Sequence, residues 1–371
     1  MKHIAYILYL AFIIAFVSAC SKEEMGSDGN MPNITFGVSG LDISTKGLIT
    51  NDGFASDNVY VFGVQNNTTS LYNGEPLTKT QGSNNWTPTN SNNIKQWAAG
   101  SSYSFYGYTK SPTGTPGNGA SCTIANNSGA MKITVSQPSK YSEPDNAACS
   151  EPDMVDYMLS HAYKVADGKN YRTVMLYMEH AMAWVEVFVE KEEENHIIEL
   201  KNITLSNIYR SATMQCESQA IANSGDKNIW TVQLQGTNDV EYSTTYFPRP
   251  NNAAFPLPDK YIGLSEEERN EHFLGSLNIL AIPQQLTAKA TLSVNYSVEE
   301  DNDNDTDPTE YTQVFQLYDY VPYVWESGHK ITYRLTINTG VQLKAYISDW
   351  KETGYTEGLI LPPNNQQNQQ D

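Results

Sequence analysis

The sequence predicts an all-β protein with two tandem β-sandwich domains. Short apolar runs alternate with polar residues along most of the chain, and loops rich in Gly, Asn, Ser and Pro separate them. Tyrosine is abundant, with 24 residues among the 371, whereas the long charged side chains that favour helices are few. A chain of this length also has room for about two domains, each with its own core.

The first predicted strand opens the folded part of the chain. Ile34, Phe36 and Val38 alternate with Thr35 and Gly37, which is the pattern of a half-buried strand. We therefore expect the three apolar side chains to face a core, where burial of each contributes ~1.5–3 kcal/mol.

Further strands of the N-terminal domain are predicted from apolar or aromatic runs at 59–64, 103–108 and 131–135. Residues 65–93 are rich in Asn, Thr, Gly and Ser, and they predict an exposed loop or a weak hairpin. Residues 110–130, rich in Gly, Pro and Asn, predict a second loop.

Residues 174–189 contain Met and Ala, but their apolar side chains follow a period of two rather than a helical period. The apolar positions are even-numbered as far as Trp184 and odd-numbered from Val185 onward. This change of face predicts either two strands joined by a bulge or one strand that crosses between two sheets.

The C-terminal half continues the same pattern. Its predicted strands lie at 203–205, 230–234, 277–282, 290–298, 312–317, 331–337 and 343–347. We place the domain boundary near residue 170, which gives an N-terminal sandwich over 34–169 and a C-terminal sandwich over 170–350. A tail over 351–371 follows, with polar final residues.

The sequence contains no recognisable catalytic or metal-binding motif. It has no H-E-x-x-H pair, no nucleophile elbow, no phosphate loop and no dinucleotide-binding glycine pattern. The acidic run at 299–307 lacks the glycine and terminal glutamate of an EF-hand loop, so we predict a solvated hairpin loop rather than a calcium site. We expect a protein that is not an enzyme, without catalytic residues, metal or cofactor.

The formal net charge of −19 repels nucleic-acid phosphates, so nucleic acid is not an expected partner. The aromatic side chains leave a different binding function open. Trp86, Tyr103, Tyr106 and Tyr108 could stack on sugar rings, as in a surface glycan-binding lipoprotein of a nutrient-uptake system. Cores of β-sandwiches use such residues as well, so the pattern alone does not decide.

Residues 1–20 have the parts of a lipoprotein signal peptide. Lys2 and His3 are cationic, residues 4–17 are apolar, and small residues precede Cys20 as in the lipobox of signal peptidase II substrates. We therefore expect a lipid on Cys20 that anchors the protein in a membrane. The other cysteines, Cys122, Cys149 and Cys216, could include one disulfide between the first two or remain free thiols.

The residues that follow Cys20 indicate where the protein is exposed. Residues 21–24, with sequence Ser-Lys-Glu-Glu, resemble the acidic export signal that directs Bacteroidetes lipoproteins to the outer face of the outer membrane. Residues 25–33 are rich in Gly, Ser, Asp, Asn and Pro, which suits a flexible tether over residues 21–33 between the lipid and the fold.

An ordered set of motifs spans residues 34–350. After the opening strand it comprises Ser44-Thr45-Lys46, Phe54, Asp57, Val59, Val61 and Phe62; Trp97, Gly100, Tyr103 and Phe105; Val174 through His180-Ala181 to Val189; residues 280–284 (LAIPQ), 325–333 (WESGHKITY) and 347–350 (ISDW). With these motifs the chain resembles the fimbrillin family of Bacteroidales, the Mfa-like and FimA-type subunits of type V pili.

This resemblance implies two transthyretin-like β-sandwich domains and a lipid-anchored precursor. It implies that a protease cuts after a basic residue, that the first strand leaves, and that a donor strand from a neighbouring subunit fills the groove. Ile34, Phe36 and Val38 mark the removable strand, and Lys46 and Gly47 flank the cut. The family has Arg where this chain has Lys46, so an uncut lysine in a turn is the alternative.

The donor strand would come from the tail, where Tyr355, Leu359, Ile360 and Leu361 are the apolar positions before two prolines. The resemblance also implies other fimbrial subunits as partners, an outer-membrane and fimbrial location, and a host protein or glycan as ligand. It leaves the roles of shaft, tip and anchor subunit open.

Overall fold

The structure is a computed structural model, and it describes residues 31–39, 59–80, 85–109, 121–127, 130–137, 140–141, 157–165, 171–192, 196–217, 231–236, 240–245, 273–300, 308–320, 323–337 and 341–349. Within these ranges the regular structure consists of β-strands and two short 3-10 helices, Ser91–Asn93 and Leu317–Asp319. The prediction of an all-β protein is therefore confirmed.

The first eleven strands are β1 Phe36–Ser39, β2 Val59–Gln65, β3 Thr69–Lys79, β4 Trp86–Pro88, β5 Ser102–Thr109, β6 Ser121–Asn127, β7 Ala130–Ser136, β8 Lys140–Tyr141, β9 Met158–Val165, β10 Val174–Tyr177 and β11 Glu179–His180. The remaining strands are β12 Ala183–Lys191, β13 His196–Ile208, β14 Ser211–Glu217, β15 Thr231–Gln235, β16 Val240–Thr245, β17 Phe273–Ala281, β18 Gln284–Gln285, β19 Thr291–Glu300, β20 Thr309–Gln316, β21 Val324–Trp325, β22 His329–Ile337 and β23 Val341–Asp349.

Eight of these strands form one sheet with the order β10-β1-β4-β3-β2-β5-β9-β11. Its two end strands, β10 and β11, are separated on the chain only by Met178. β10 runs parallel to β1, and β11 runs antiparallel to β9. A single stretch of chain therefore joins both ends of the sheet, so the sheet curls back on itself.

The two faces of this sheet contact different cores. One face encloses a core of aromatic and aliphatic side chains that includes Ile34, Phe36, Tyr72, Trp97 and Phe105. The other face contributes side chains to a larger core shared with the remaining sheets, and these are Phe62, Tyr106, Tyr108, Tyr157 and Leu159. Successive residues of a strand point to opposite faces, and for this reason Phe105 and Tyr106 lie in different cores.

The other described strands form two four-stranded sheets, one five-stranded sheet and a small two-stranded ladder. Their orders are β17-β12-β22-β23, β15-β14-β7-β6, β20-β19-β13-β16-β8 and β18-β21. β12 and β22 pair in parallel, and buried Trp325 donates its indole N–H to the Tyr333 hydroxyl at 3.0 Å. The acidic run joins β19 to β20 in an antiparallel hairpin, as predicted, with Val298 opposite Thr309.

Strand pairing crosses residue 170 in both directions. β10 and β11 belong to the sheet of the N-terminal strands, whereas β7 pairs with β14 and β8 pairs with β16. The division into domains over 34–169 and 170–350 stays a prediction. In the described residues the chain changes sheets between His180 and Ala183, about ten residues later than that division.

The change of face predicted at residues 174–189 is confirmed as a crossing between sheets. β11 ends at His180 in the eight-stranded sheet, and β12 begins at Ala183 in a four-stranded sheet. Two backbone hydrogen bonds hold the crossing: the Ala181 amide donates to Tyr157 at 2.7 Å, and the Met182 carbonyl accepts from Gly328 at 2.9 Å.

At 65–93 the hairpin alternative is confirmed, because β3 and β4 pair antiparallel from Leu77 opposite Pro88 to Lys79 opposite Trp86. The prediction of a loop at 110–130 is wrong in part. The first stretch contains β3 and β4, and the second contains β6. β3 pairs with β2, but the register between the two strands shifts twice. The shifts occur between Val61 and Phe62 and between Gly63 and Val64 of β2. These irregularities break the alternation of apolar and polar residues on which the prediction relied.

Candidate functional site

The candidate site is the groove that holds β1. On one side β1 pairs in parallel with β10 over four residues, from Phe36 opposite Val174 to Ser39 opposite Tyr177. On the other side Phe36 is opposite Trp86, and an isolated bridge joins Asn33 to the segment that follows β4. The strand thus lies inside the sheet, with neighbours on both sides.

Backbone hydrogen bonds tie this segment to both neighbours. The Ile34 amide donates to the Lys95 carbonyl at 2.7 Å, and the Thr35 carbonyl accepts from the Val174 amide at 2.8 Å. The Thr35 hydroxyl also lies 3.1 Å from the Thr173 hydroxyl. Loss of the segment would leave unpaired backbone groups along both walls of the groove.

The apolar side chains of the segment fill the floor of the groove. Ile34 and Phe36 are both 0% exposed, and Val38 is partly buried against the same core. The Phe36 ring makes edge-on contacts with Tyr72 and Phe105, at centroid distances of 5.6 and 5.5 Å. Such contacts add to the burial of about 1.5–3 kcal/mol per side chain, so the segment is an integral part of the core.

Tyr72 connects the core to the backbone of the groove wall. Its hydroxyl accepts a hydrogen bond from the Lys95 amide at 3.3 Å, and the carbonyl of that same residue bonds to Ile34. Burial raises the pKa of Tyr72 to about 12; the hydrogen bond from the Lys95 amide acts in the opposite direction, and nearby Glu75 adds a smaller increase. The hydroxyl of Tyr72 therefore remains protonated and uncharged at neutral pH.

Gly37 leaves room for a side chain of the neighbouring strand. It is buried, and a Cβ atom at this position would lie within 3.0 Å of the Met175 Cε and closer still to its sulfur. Met175 is itself 37% exposed, so the end of its flexible side chain covers β1 from the solvent side. The strand is thus enclosed by the core below and by this side chain above.

The other predicted site residues lie outside the described residues. These are Cys20, Lys46 and Gly47 near the N-terminus, and Tyr355, Leu359, Ile360 and Leu361 in the tail. Their roles in lipidation, cleavage and strand donation stay predictions.

The four aromatic residues proposed for sugar stacking are not on the surface. Trp86, Tyr103, Tyr106 and Tyr108 are all buried, with exposed fractions between 1% and 4%. Tyr103, Tyr106 and Tyr108 lie on β5, and Trp86 lies on β4. Their buried rings stabilise the sheet and cannot present an exposed face to a sugar. Of the two alternatives, burial in the cores is therefore confirmed for these residues, and they form no glycan-binding surface.

Within the described ranges, no group of three or more His, Cys, Asp or Glu side chains is placed to hold a metal ion. Among the same residues, none of the helices has the length and apolar character that a membrane crossing requires.

Several residues of the groove could not be recognised from the sequence. Tyr72 and Leu77 lie in a stretch that resembles a loop, yet both are buried beside β1. Val174 is the parallel partner of Phe36, although 138 positions separate them. The buried tyrosine and leucine in an otherwise polar stretch were the available signal, but nothing local in a sequence indicates which distant strand will pair.

The chain is similar to several known proteins. A family model described as fimbrillin-like matches residues 48–350. A candidate cell adhesion protein from Bacteroides uniformis has 12% sequence identity and a TM-score of 0.46, over 86% of this chain and 99% of that chain. A second candidate cell adhesion protein, from Bacteroides eggerthii, has 13% identity and a TM-score of 0.46, over 87% and 97% of the two chains.

A fimbrial assembly protein from Parabacteroides distasonis has 11% identity and a TM-score of 0.35, with 86% of this chain and 96% of that chain covered. None of the curated proteins compared with the chain matches it. Because the family match extends over more than half of the sequence, the chain belongs to the fimbrillin-like family.

Proposed function

We propose that this chain is a fimbrial subunit or a fimbria-associated adhesin that assembles by donor-strand exchange. The observation that carries the proposal is the position of β1. It is short and is the first of the described strands, yet it lies within a sheet and fills a core with two fully buried side chains, Ile34 and Phe36. A strand from a neighbouring subunit would be bound at this place by the same contacts.

Exchange requires that the open groove be less stable than the filled one. Loss of three apolar side chains and of the hydrogen bonds on both walls costs several kcal/mol, on the basis of ~1.5–3 kcal/mol per side chain. A cut between Lys46 and Gly47 would free the segment without breaking any described strand, because no described strand lies between Ser39 and Val59. The cut chain then gains by accepting a replacement.

The tail contains one short segment with suitable spacing. Leu359 and Leu361 are two residues apart, as are Ile34 and Phe36, so they can enter the same two pockets. In the register that places Leu359 at Phe36 instead, Glu357 would fall in the pocket of Ile34 and bury a charge. We therefore favour the register in which Leu361 replaces Phe36.

The lipid on Cys20 would hold the precursor at the outer membrane until the cut releases it from this anchor. Replacement of Cys20 by Ala should move the protein from the membrane fraction to the soluble fraction. Unchanged fractionation of this variant would contradict lipid anchoring and would leave the exchange of β1 untouched.

The exchange is tested with the chain from residue 21 to residue 371 and a protease that cuts after lysine and arginine. We expect removal of the segment before Gly47, followed by a ladder of oligomers on native gels. The variant Lys46→Gln should stay uncut at this position and monomeric. The double variant with Leu359→Asp and Leu361→Asp should be cut but should form no ladder.

A chain that loses the segment before Gly47 and remains monomeric at high concentration would overturn donor-strand exchange. A ladder that persists with both aspartates would instead assign the donor to a different segment.

A further inference from the structure

A second feature of the molecule concerns β20, at the end of the five-stranded sheet. β20 pairs with β19 over eight residues without a bulge, from Thr309 opposite Val298 to Gln316 opposite Thr291. Seven of its eight residues are exposed, and Phe315 is the buried one. Among the described strands none pairs with the outer side of β20, so within this part of the chain the strand presents a regular and open edge.

The directions of its backbone groups follow from one hydrogen bond. The Leu317 amide donates to the Ala290 carbonyl at 2.9 Å, in the same register as the β19–β20 ladder. Hydrogen bonding alternates along an antiparallel strand, so the odd-numbered residues of β20 bond to β19. The even-numbered residues, from Glu310 to Gln316, direct their N–H and C=O groups away from the sheet.

The edge lacks the devices that usually prevent strand addition. Between Thr309 and Gln316 there is no Lys, Arg, Pro or Gly, and Glu310 is the only charged residue. Tyr311 and Val314 are 46% and 50% exposed. At the opposite end of the same sheet β8 is only two residues long, which limits any pairing there.

We propose that this edge binds a second copy of the chain, with the two β20 strands antiparallel about a two-fold axis at Gln313. The proposal goes beyond strand exchange at β1 and does not depend on it. Its occupant is identified by the self-complementarity of the strand.

A two-fold axis perpendicular to the sheet keeps each side chain on its own face. The numbers of two paired residues must then add to an even number, because residues of the same parity share a face. With the axis at Gln313, Thr312 lies opposite Val314 and Tyr311 lies opposite Phe315 of the other copy. Pairs of β-branched and of aromatic side chains are favourable across strands.

The neighbouring register is less favourable. An axis at Thr312 would place Pro308 opposite Gln316, and Pro308 has no N–H to donate. It would also set Thr309 opposite Phe315. With the axis at Gln313, every outward N–H of the strand finds a carbonyl, and Glu310 meets the neutral Gln316.

The net charge of −19 per chain opposes self-association. The edge itself brings no two carboxylates together, so the repulsion is long-range. Salt screens repulsion of this kind, with a Debye length of about 8 Å at 0.15 M and ~3 Å at 1 M. Dimerisation should therefore strengthen as salt is added.

The test uses the uncut chain from residue 21 to residue 371, in which β1 remains in place and strand exchange cannot contribute. Sedimentation velocity is measured at 0.15 M and 0.5 M NaCl, over a concentration series to about 100 µM. The variant Thr312→Pro removes one outward N–H without touching the ladder to β19. Its matched control Thr312→Ala keeps that N–H.

We expect a monomer–dimer equilibrium for the parent chain and for Thr312→Ala. Thr312→Pro should weaken it at least about tenfold, since two hydrogen bonds per dimer are lost and the proline ring blocks close approach. Its thermal unfolding should match that of the parent chain. A parent chain that is monomeric at both salt concentrations, or a Thr312→Pro chain that dimerises equally well, would overturn the proposal.

A cysteine at the axis tests the register. Gln313 would face its own copy as a non-hydrogen-bonded pair, with Cα atoms ~4.5 Å apart, within the range for a disulfide. Gln313→Cys should therefore give a crosslinked dimer under mild oxidation, above the background of the parent chain with its native cysteines. Glu310→Cys should not, because its opposite residue is Gln316. Crosslinking that is equal in the two variants would contradict the axis.

Discussion

The strands β1 and β20 lie in surroundings that differ in every respect that governs strand binding. β1 has a neighbour on each side, and Ile34 and Phe36 are completely buried. Among the described strands β20 has one neighbour, and seven of its eight residues are exposed. A segment at the position of β1 is held by core burial, whereas a segment beside β20 would be held mainly by backbone hydrogen bonds.

This difference separates two ways in which a sheet can bind another chain. The place of β1 becomes available only when its own strand leaves, and the exposed apolar pockets then favour a replacement strongly. The edge of β20 is available in the intact protein, but it offers little apolar area and gives a weaker, reversible contact. If both proposals hold, the subunit would form one tight contact under the control of a protease and one weak contact without it.

The largest expected effect on stability is at Phe36. Phe36→Ala should lower the free energy of unfolding by about 3–5 kcal/mol, because it empties a pocket lined by Tyr72 and Phe105. Val314→Ala on β20 should change it by no more than about 0.5 kcal/mol, because that side chain is half exposed. Urea unfolding of the uncut chain measures both.

The two variants together test the comparison. A loss below about 1 kcal/mol for Phe36→Ala would show that β1 contributes little to the core, and the proposed exchange would lose its driving force. A loss above ~2 kcal/mol for Val314→Ala would show that the edge is covered rather than open.

Much of the fold could be predicted from local patterns. The strands with regular alternation, such as β1 and β22, were predicted, and the change of face at Ala183 correctly indicated a crossing between sheets. β3 was predicted only as one arm of a possible weak hairpin, because two shifts of register break its alternation. A regular strand can be predicted because its apolar residues alternate with polar ones in the local sequence. A bulge interrupts this alternation, so an irregular strand is harder to recognise.

The site was predictable only in part. Ile34 and Phe36 were expected to be buried, and they are. That β1 pairs in parallel with β10, more than a hundred residues later, could not be inferred, since no local signal encodes such a partner. The sequence also could not show whether the many aromatic side chains are buried or exposed. Trp86 is buried because of the position of β4 in its sheet, and that position depends on distant strands.

A smaller effect is expected at alkaline pH. The pKa of Tyr72 is raised to about 12 in the folded chain, from the ordinary value of 10.0 for a tyrosine. Its contribution to stability is fully present below pH 10 and is lost as the pH rises toward the folded value, by about 1.4 kcal/mol per pH unit. Tyr72→Phe should remove this part of the pH dependence between pH 10 and pH 11.

At neutral pH the same variant should cost only ~0.5–1.5 kcal/mol, for the lost hydrogen bond from Lys95. Val59→Ala is the matched control, because it weakens the same core without removing an ionisable group. It should shift the whole pH profile of unfolding without changing its slope. A Tyr72→Phe profile that runs parallel to that of the parent chain would contradict the burial of this hydroxyl beside β1.

The smallest effect on the free energy of unfolding is expected at Gly37, which lies beneath the side chain of Met175. Gly37→Ala should change the free energy of unfolding by less than about 1 kcal/mol, since Met175 is partly exposed and its flexible end can move aside. In a Met175→Ala background the same change should become stabilising by ~0.4–1 kcal/mol, because the unfolded chain loses freedom and no contact opposes it.

Unfolding of the two single variants and the double variant gives the coupling between these positions. The result bears on the donor segment, because the register that places Leu361 at Phe36 also brings Pro362 to the position of Gly37. If Gly37→Ala costs more than about 2 kcal/mol in both backgrounds, the cover over β1 is rigid. No residue larger than glycine would then fit there, and the tail could not fill the groove in that register.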